Sequence, residues 1–167
     1  MMNGKSLKAL NKEILKRLEK GLVSSKFDPS NSVVIDRNAG GLTRYIVLDG
    51  VAIYAVDMTE FLFDTEKIEK MDVLRAVPDI ADEIEPVPMP AAVAKVIDGG
   101  CTLVDVEGNY YNDKYFKLFK NVGYYALEPY VTTRDAEKLN NILLYDSFGS
   151  FSGMILPVRK PQATNER

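Results

Sequence analysis

The pair Asp49-Gly50 sits between two runs of strand-forming residues, Thr43–Leu48 and residues 51–56, and it constrains the fold more than any other feature. A two-residue turn of type I′ needs positive φ at both central positions, which Asp tolerates and Gly accepts freely. The runs on either side are therefore expected to pair as an antiparallel hairpin. The expected register sets Leu48 against Val51 and Ile46 against Ile53, with Tyr45 and Tyr54 paired on the other side. An isolated hairpin is marginal in water, so this one requires further strands and a helix to cover it.

The helix is legible in residues 5–20. Leu7, Leu10, Ile14, Leu18 and Leu22 recur at helical spacing and form one stripe. Lys5, Lys8, Lys12, Lys16 and Lys20 form a second stripe on the opposite side. Gly21 reads as the stop, because glycine adopts the left-handed conformation at little cost. Residues 32–36 form a short β-branched run before a turn at residues 38–41. A short helix is expected near 66–75, and another from Pro90 to Ile97, ended by Gly99-Gly100. A strand follows at Cys101–Val106, with a turn at Glu107-Gly108. Asn112 is a good N-cap for a helix over 113–120, in which Tyr115, Phe116, Leu118 and Phe119 face inward and Lys114, Lys117 and Lys120 face out. Strands close the chain at 124–131, 141–145 and 151–158. The fold class is α+β, in a single domain over residues 1–160. An acidic, proline-containing insertion occupies about 57–90, and residues 161–167 form a polar tail.

Composition narrows the chemistry. There is no histidine, which removes the commonest general base at neutral pH and every Ser-His-Asp or Cys-His nucleophile system. No phosphate-loop or dinucleotide glycine motif occurs; Gly40-Gly41 and Gly99-Gly100 read as turns. Cys101 is the only cysteine and is expected to be a buried small hydrophobe. The tyrosines at 110, 111, 115, 124, 125 and 130 are read as packing residues. The acids Asp79, Asp82, Glu83 and Glu85 match no calcium loop and read as a solvated connector. No catalytic residue, metal site or cofactor is expected, and the chain is read as non-enzymatic. It shows no apolar span for a bilayer and no secretory leader, so the expected location is the cytoplasm.

Charge is segregated. Residues 1–26 carry seven bases against two acids, whereas residues 57–85 carry ten acids against three bases. One face is thereby suited to polyanions and another repels them. The same separation also serves plain solubility on two sides of a domain.

Three stretches together resemble the sliding-clamp superfamily of DNA polymerase processivity factors. The run Tyr45-Ile46-Val47-Leu48-Asp49-Gly50-Val51-Ala52-Ile53-Tyr54 looks like the clamp hairpin. Asn112-Asp113-Lys114-Tyr115-Phe116 resembles the start of a clamp helix, and Gly153-Met154-Ile155-Leu156-Pro157-Val158-Arg159 resembles the closing strand of bacterial clamps. The resemblance implies two similar halves, each a helix packed on antiparallel strands. It implies a processivity-type role without chemistry, in which lysines contact phosphates and carry no sequence information. On that reading Lys5, Lys8, Lys12, Lys16, Lys20, Lys114, Lys117 and Lys120 are the DNA-binding residues. Double-stranded DNA is the expected partner, with replication proteins as further candidates. Known clamps join several domains in one chain, so a single domain would close a ring only as a homo-oligomer of more copies. The rival reading is a protein-interaction adaptor that uses a clamp-like fold without encircling DNA. Each lysine row is also what any amphipathic helix turns to solvent.

Overall fold

The computed structural model describes residues 4–23, 33–36, 43–57, 69–71, 84–130 and 139–159. The structure opens with α1 (Gly4–Val23) and continues through β1 (Val33–Asp36), β2 (Thr43–Leu48), β3 (Ala52–Asp57) and β4 (Glu69–Met71). Next come β5 (Val87–Pro88), β6 (Ala94–Asp98), β7 (Cys101–Val106), β8 (Asn109–Asn112) and α2 (Asp113–Phe116). Last are β9 (Tyr124–Tyr130), β10 (Leu139–Tyr145) and β11 (Phe151–Ile155). The α+β class expected from the sequence is observed.

Eight strands form one sheet in the order β4-β1-β2-β3-β11-β10-β9-β5, and β6-β7-β8 form a second, smaller sheet. The large sheet contains two antiparallel meanders, β1-β2-β3 and β9-β10-β11, joined where β11 pairs antiparallel with β3. β4 adds to β1 in parallel at one edge, and β5 adds to β9 at the other.

The Asp49-Gly50 hairpin forms, with φ of 53° at Asp49 and 68° at Gly50, and Val51 N–H donates to Leu48 O at 2.9 Å. Its register differs from expectation by one residue. Leu48 pairs with Ala52, Ile46 with Tyr54 and Tyr45 with Ala55. Val51 is an extra residue beside the turn, and its carbonyl accepts from Leu156 N–H instead. The shift matters because side chains alternate across a sheet, so one residue moves Tyr54 to the opposite face. Tyr54 consequently lies in the core with Ile46, Leu48, Ala52 and Val56.

That core lies on one face of the large sheet. α1 supplies Leu7, Leu10 and Ile14, the small sheet supplies Val104, Val106 and Tyr111, and the segment after β8 supplies Tyr115, Leu118 and Phe119. The opposite face is also apolar and buried, through Val47, Ile53, Ala126, Leu143, Tyr145 and Met154.

Several other expectations are corrected. α1 runs through Gly21 to Val23, since an interior glycine costs a helix only about 1 kcal/mol. The helix over 113–120 is a single turn, Asp113–Phe116. Beyond it, Leu118 and Phe119 N–H reach back three residues to Tyr115 and Phe116, which tightens the chain and turns both side chains into the core. No helix spans 90–97, because Gly99 (φ 57°) and Gly100 (φ 81°) fold β6 back onto β7 as a hairpin. Cys101 is exposed, since it follows that turn at the hairpin's projecting end. Residues 69–71 are a strand, while the rest of the helix expected near 66–75 lies outside the described residues. So do the turn at 38–41, most of the acidic insertion and the 161–167 tail. The last strand ends at Ile155, and Val158 makes a separate bridge to Tyr110.

The joint between the meanders is close. Tyr54 stacks on Phe119 with ring centroids 4.8 Å apart and planes 23° apart. Gly153, opposite Tyr54, has no room for a side chain. A Cβ there would stand 2.6 Å from Phe119 Cζ and would also run into the carbonyl oxygen of Ile53. Overpacking of this kind costs roughly 1–3 kcal/mol. Gly153→Ala is expected to lower the unfolding free energy by that amount in urea titration, with Gly149→Ala, at an open position, as the comparison for local turn strain.

Candidate nucleic-acid interface

The lysine row of α1 follows from its periodicity. Leu7, Leu10 and Ile14 are held under the helix, so residues on its far side face water. Lys5, Lys8, Lys12 and Lys16 are all exposed. Lys20 belongs to the same helix, and its side chain lies outside the described ones. Glu19, also exposed, interrupts the row one turn beyond Lys16. Glu13 does not, because it pairs with Arg17 Nε at 3.2 Å.

The second set sits around α2. Asn112 caps it as expected: its side chain accepts from Lys114 N–H at 3.1 Å. Lys114, Lys117 and Lys120 are exposed. Asp113, the acid beside them, pairs with Lys95 at 3.4 Å.

Two contacts fix the sets relative to each other. At one end, Lys120 N–H donates to Ser6 Oγ at 2.7 Å. At the other, Arg17 Nη1 donates to Asp49 Oδ1 at 2.6 Å and Tyr115 Oη donates to Asp49 Oδ2 at 2.7 Å. Residues 115–120 therefore run alongside α1 in the opposite direction, with Lys120 near its start and Tyr115 near Arg17. Both helices cover the same face of the large sheet, so both lysine sets belong to one layer.

Asp49 is the residue that sequence reasoning missed. In the sequence it is a turn former, and its type I′ position gives no hint that its carboxylate also joins α1 to α2. Burial pushes the Asp49 carboxyl up, but the hydrogen bonds from Arg17 and Tyr115 and the charges of Arg17 and Lys114 together hold it below its ordinary range. Burial, and then the bond to Asp49, raise the Tyr115 phenol, so it remains a donor at neutral pH. Lys114 Nζ stands 4.9 Å from the centre of the Tyr115 ring, which adds a cation–π contact to the same cluster. Tyr54 Oη completes it by donating to the Tyr115 carbonyl at 3.0 Å.

The arrangement offers exposed positive charge on an ordered layer. Tyr111, Tyr115 and Tyr125 are buried, as packing residues are. Among the described residues no three His, Cys, Asp or Glu side chains come together, and Asp79, Asp82 and Glu83 lie outside them. No helix among the described residues is long and apolar enough to cross a membrane. Comparison with family models, with curated proteins and with solved structures returns no match.

The Asp49 network sets a pH dependence. A carboxyl whose pKa is depressed by folding contributes stability above its unfolded value, and that contribution is lost as pH falls through the folded value. Asp49→Asn is therefore expected to destabilise the protein at neutral pH, and the difference is expected to shrink as pH falls below the ordinary carboxylate range and through the depressed folded value. Urea titrations of both proteins across that range measure it. A difference independent of pH would show that the carboxylate charge is irrelevant to the joint.

Proposed function

We propose that this chain is a non-enzymatic, DNA-associated factor resembling a sliding-clamp unit, which holds the phosphate backbone through lysines of α1 and of the α2 segment. The observation that carries this reading is the tie between the two lysine sets: Ser6 with Lys120, and Arg17 with Tyr115 through Asp49. Because of it, lysines far apart in sequence form one cationic layer. Lysine suits the task, since a flexible point charge attracts phosphate without reading bases. The order of the large sheet supports the two-halves reading. A helix precedes each meander, and the meanders meet antiparallel at β3 and β11. Replication proteins would be further partners of such a unit, and the cytoplasm its location. The rival reading, an adaptor that binds proteins and leaves DNA alone, draws on the open edge of β6.

Binding to a duplex of arbitrary sequence, followed by fluorescence anisotropy at several salt concentrations, separates the two. A backbone binder loses affinity by about 0.9 log units per log unit of salt for each phosphate contacted. Lys12→Glu/Lys16→Glu is expected to abolish binding at physiological salt. Lys12→Gln/Lys16→Gln is expected to reduce the slope by roughly two such contacts. Absence of salt-dependent binding, or binding indifferent to these substitutions, would overturn the DNA reading.

A further inference from the structure

β6 is anomalous. Among the described strands it pairs with β7 alone, and all five of its residues, Ala94 to Asp98, are exposed. Its neighbour β7 buries Leu103 and Val104 almost completely, whereas Ile97 of β6 is 79% exposed and Val96 36% exposed. Apolar residues are seldom left on a strand with neither face covered and one edge open. The other edge of the small sheet is closed, since Val158 N–H donates to the Tyr110 carbonyl of β8 at 2.8 Å. β5, an edge strand of the large sheet, is two residues long and includes Pro88, which has no N–H to offer.

The register of the hairpin says which backbone groups of β6 are free. Asp98 and Cys101 close the two-residue turn and form a hydrogen-bonded pair. Pairs alternate along an antiparallel ladder, so Ala94 and Val96 also bond to β7. Lys95 and Ile97 lie between them and turn their N–H and C=O groups to the open edge.

We propose that β6 is a self-pairing edge, through which two copies of the chain join antiparallel across a twofold axis at Val96. In that register Lys95 of each copy faces Ile97 of the other, and each such pair exchanges both of its outward hydrogen bonds. Val96 faces its own copy, and Ala94 faces Asp98. All five residues are paired, and no charge meets a like charge directly. Centring the axis on Lys95 instead would oppose two lysines, which is unfavourable in a cross-strand pair. Centring it on Ile97 would leave Ala94 without a strand partner and set Lys95 against Gly99. The second copy sets Val96 against its own counterpart, while each Lys95 keeps its ammonium on Asp113 of its own copy. The two three-stranded sheets become one six-stranded sheet. The contact is isologous and closes on itself, so it is distinct from any head-to-tail ring contact. It stands independently of the DNA reading.

The test uses the full chain with Cys101→Ser, which removes the native thiol. Mild oxidation of Val96→Cys is expected to give a disulfide-linked dimer, because these residues face each other. Ile97→Cys is expected to give little, because at this register the two α-carbons are offset beyond the reach of about 7 Å. Sedimentation of the unmodified chain is expected to show a reversible monomer–dimer equilibrium that Ile97→Pro abolishes. That substitution removes an outward N–H and leaves the β6–β7 hydrogen bonds in place, which unchanged circular dichroism would verify. A monomer at every concentration up to millimolar would overturn the proposal. Equal cross-linking at 96 and 97, or a dimer that survives Ile97→Pro, would assign association to another surface and overturn it as well.

Discussion

The pairing of β3 with β11 makes this chain one structure. Each meander alone would leave a long apolar strand, β3 or β11, as an unpaired edge. Three residue pairs, Ala52 to Tyr54 against Gly153 to Ile155, join them into a continuous sheet. The absence of a side chain at Gly153 allows the backbones, Tyr54 and Phe119 to close on one another. Strands at such a joint are buried on both faces, which accounts for the unbroken apolar runs of Ala52–Val56 and Ile142–Tyr145.

The helical layer is tied within itself at Ser6 and to the sheet through Asp49 and Tyr54, and none of these bonds involves the apolar stripe of α1. Ser6 reaches the end of the α2 segment, while Arg17 and Tyr115 share the two oxygens of Asp49. Hydrophobic burial is non-directional and would allow α1 to slide or rotate over Leu48 and Ile46. The directional bonds set its position, and with it the spacing of the two lysine sets. A turn that shapes the β2–β3 hairpin thereby also sets the surface charge pattern.

What could be read in advance was local. Asp49-Gly50, the Leu7, Leu10 and Ile14 part of the α1 stripe and the Asn112 cap each depend on a few neighbouring residues, and each is where the sequence placed it, while the side chains of Leu18 and Leu22 lie outside the described ones. The failures share a different cause. The hairpin register was wrong because Val51 surrenders its carbonyl to Leu156, a residue more than a hundred positions away. The 113–120 helix stops early because Leu118 and Phe119 have to enter a core built by other elements. A helix is expected over 90–97 because proline suits a first helical turn, whereas the positive φ of Gly99 and Gly100 folds the segment back as β6. The lysines were identifiable one by one as solvent-facing. Their assembly into one layer was not, because it depends on the contacts of Ser6 and Asp49, which no periodicity encodes.

The Asp49 joint also bears on how the chain ages. Among aspartyl linkages, Asp-Gly is the one most open to backbone rearrangement, because a glycine nitrogen can attack the preceding carboxyl carbon without steric hindrance. The resulting succinimide reopens mostly as isoaspartate, which inserts an extra carbon into the main chain at the tip of a hairpin. That attack needs a mobile, protonated carboxyl group. Here both oxygens are held, one by Arg17 and the other by Tyr115, and the group is kept ionised. The bonds that fasten the helices to the turn thus also shield the most perishable peptide linkage in the hairpin.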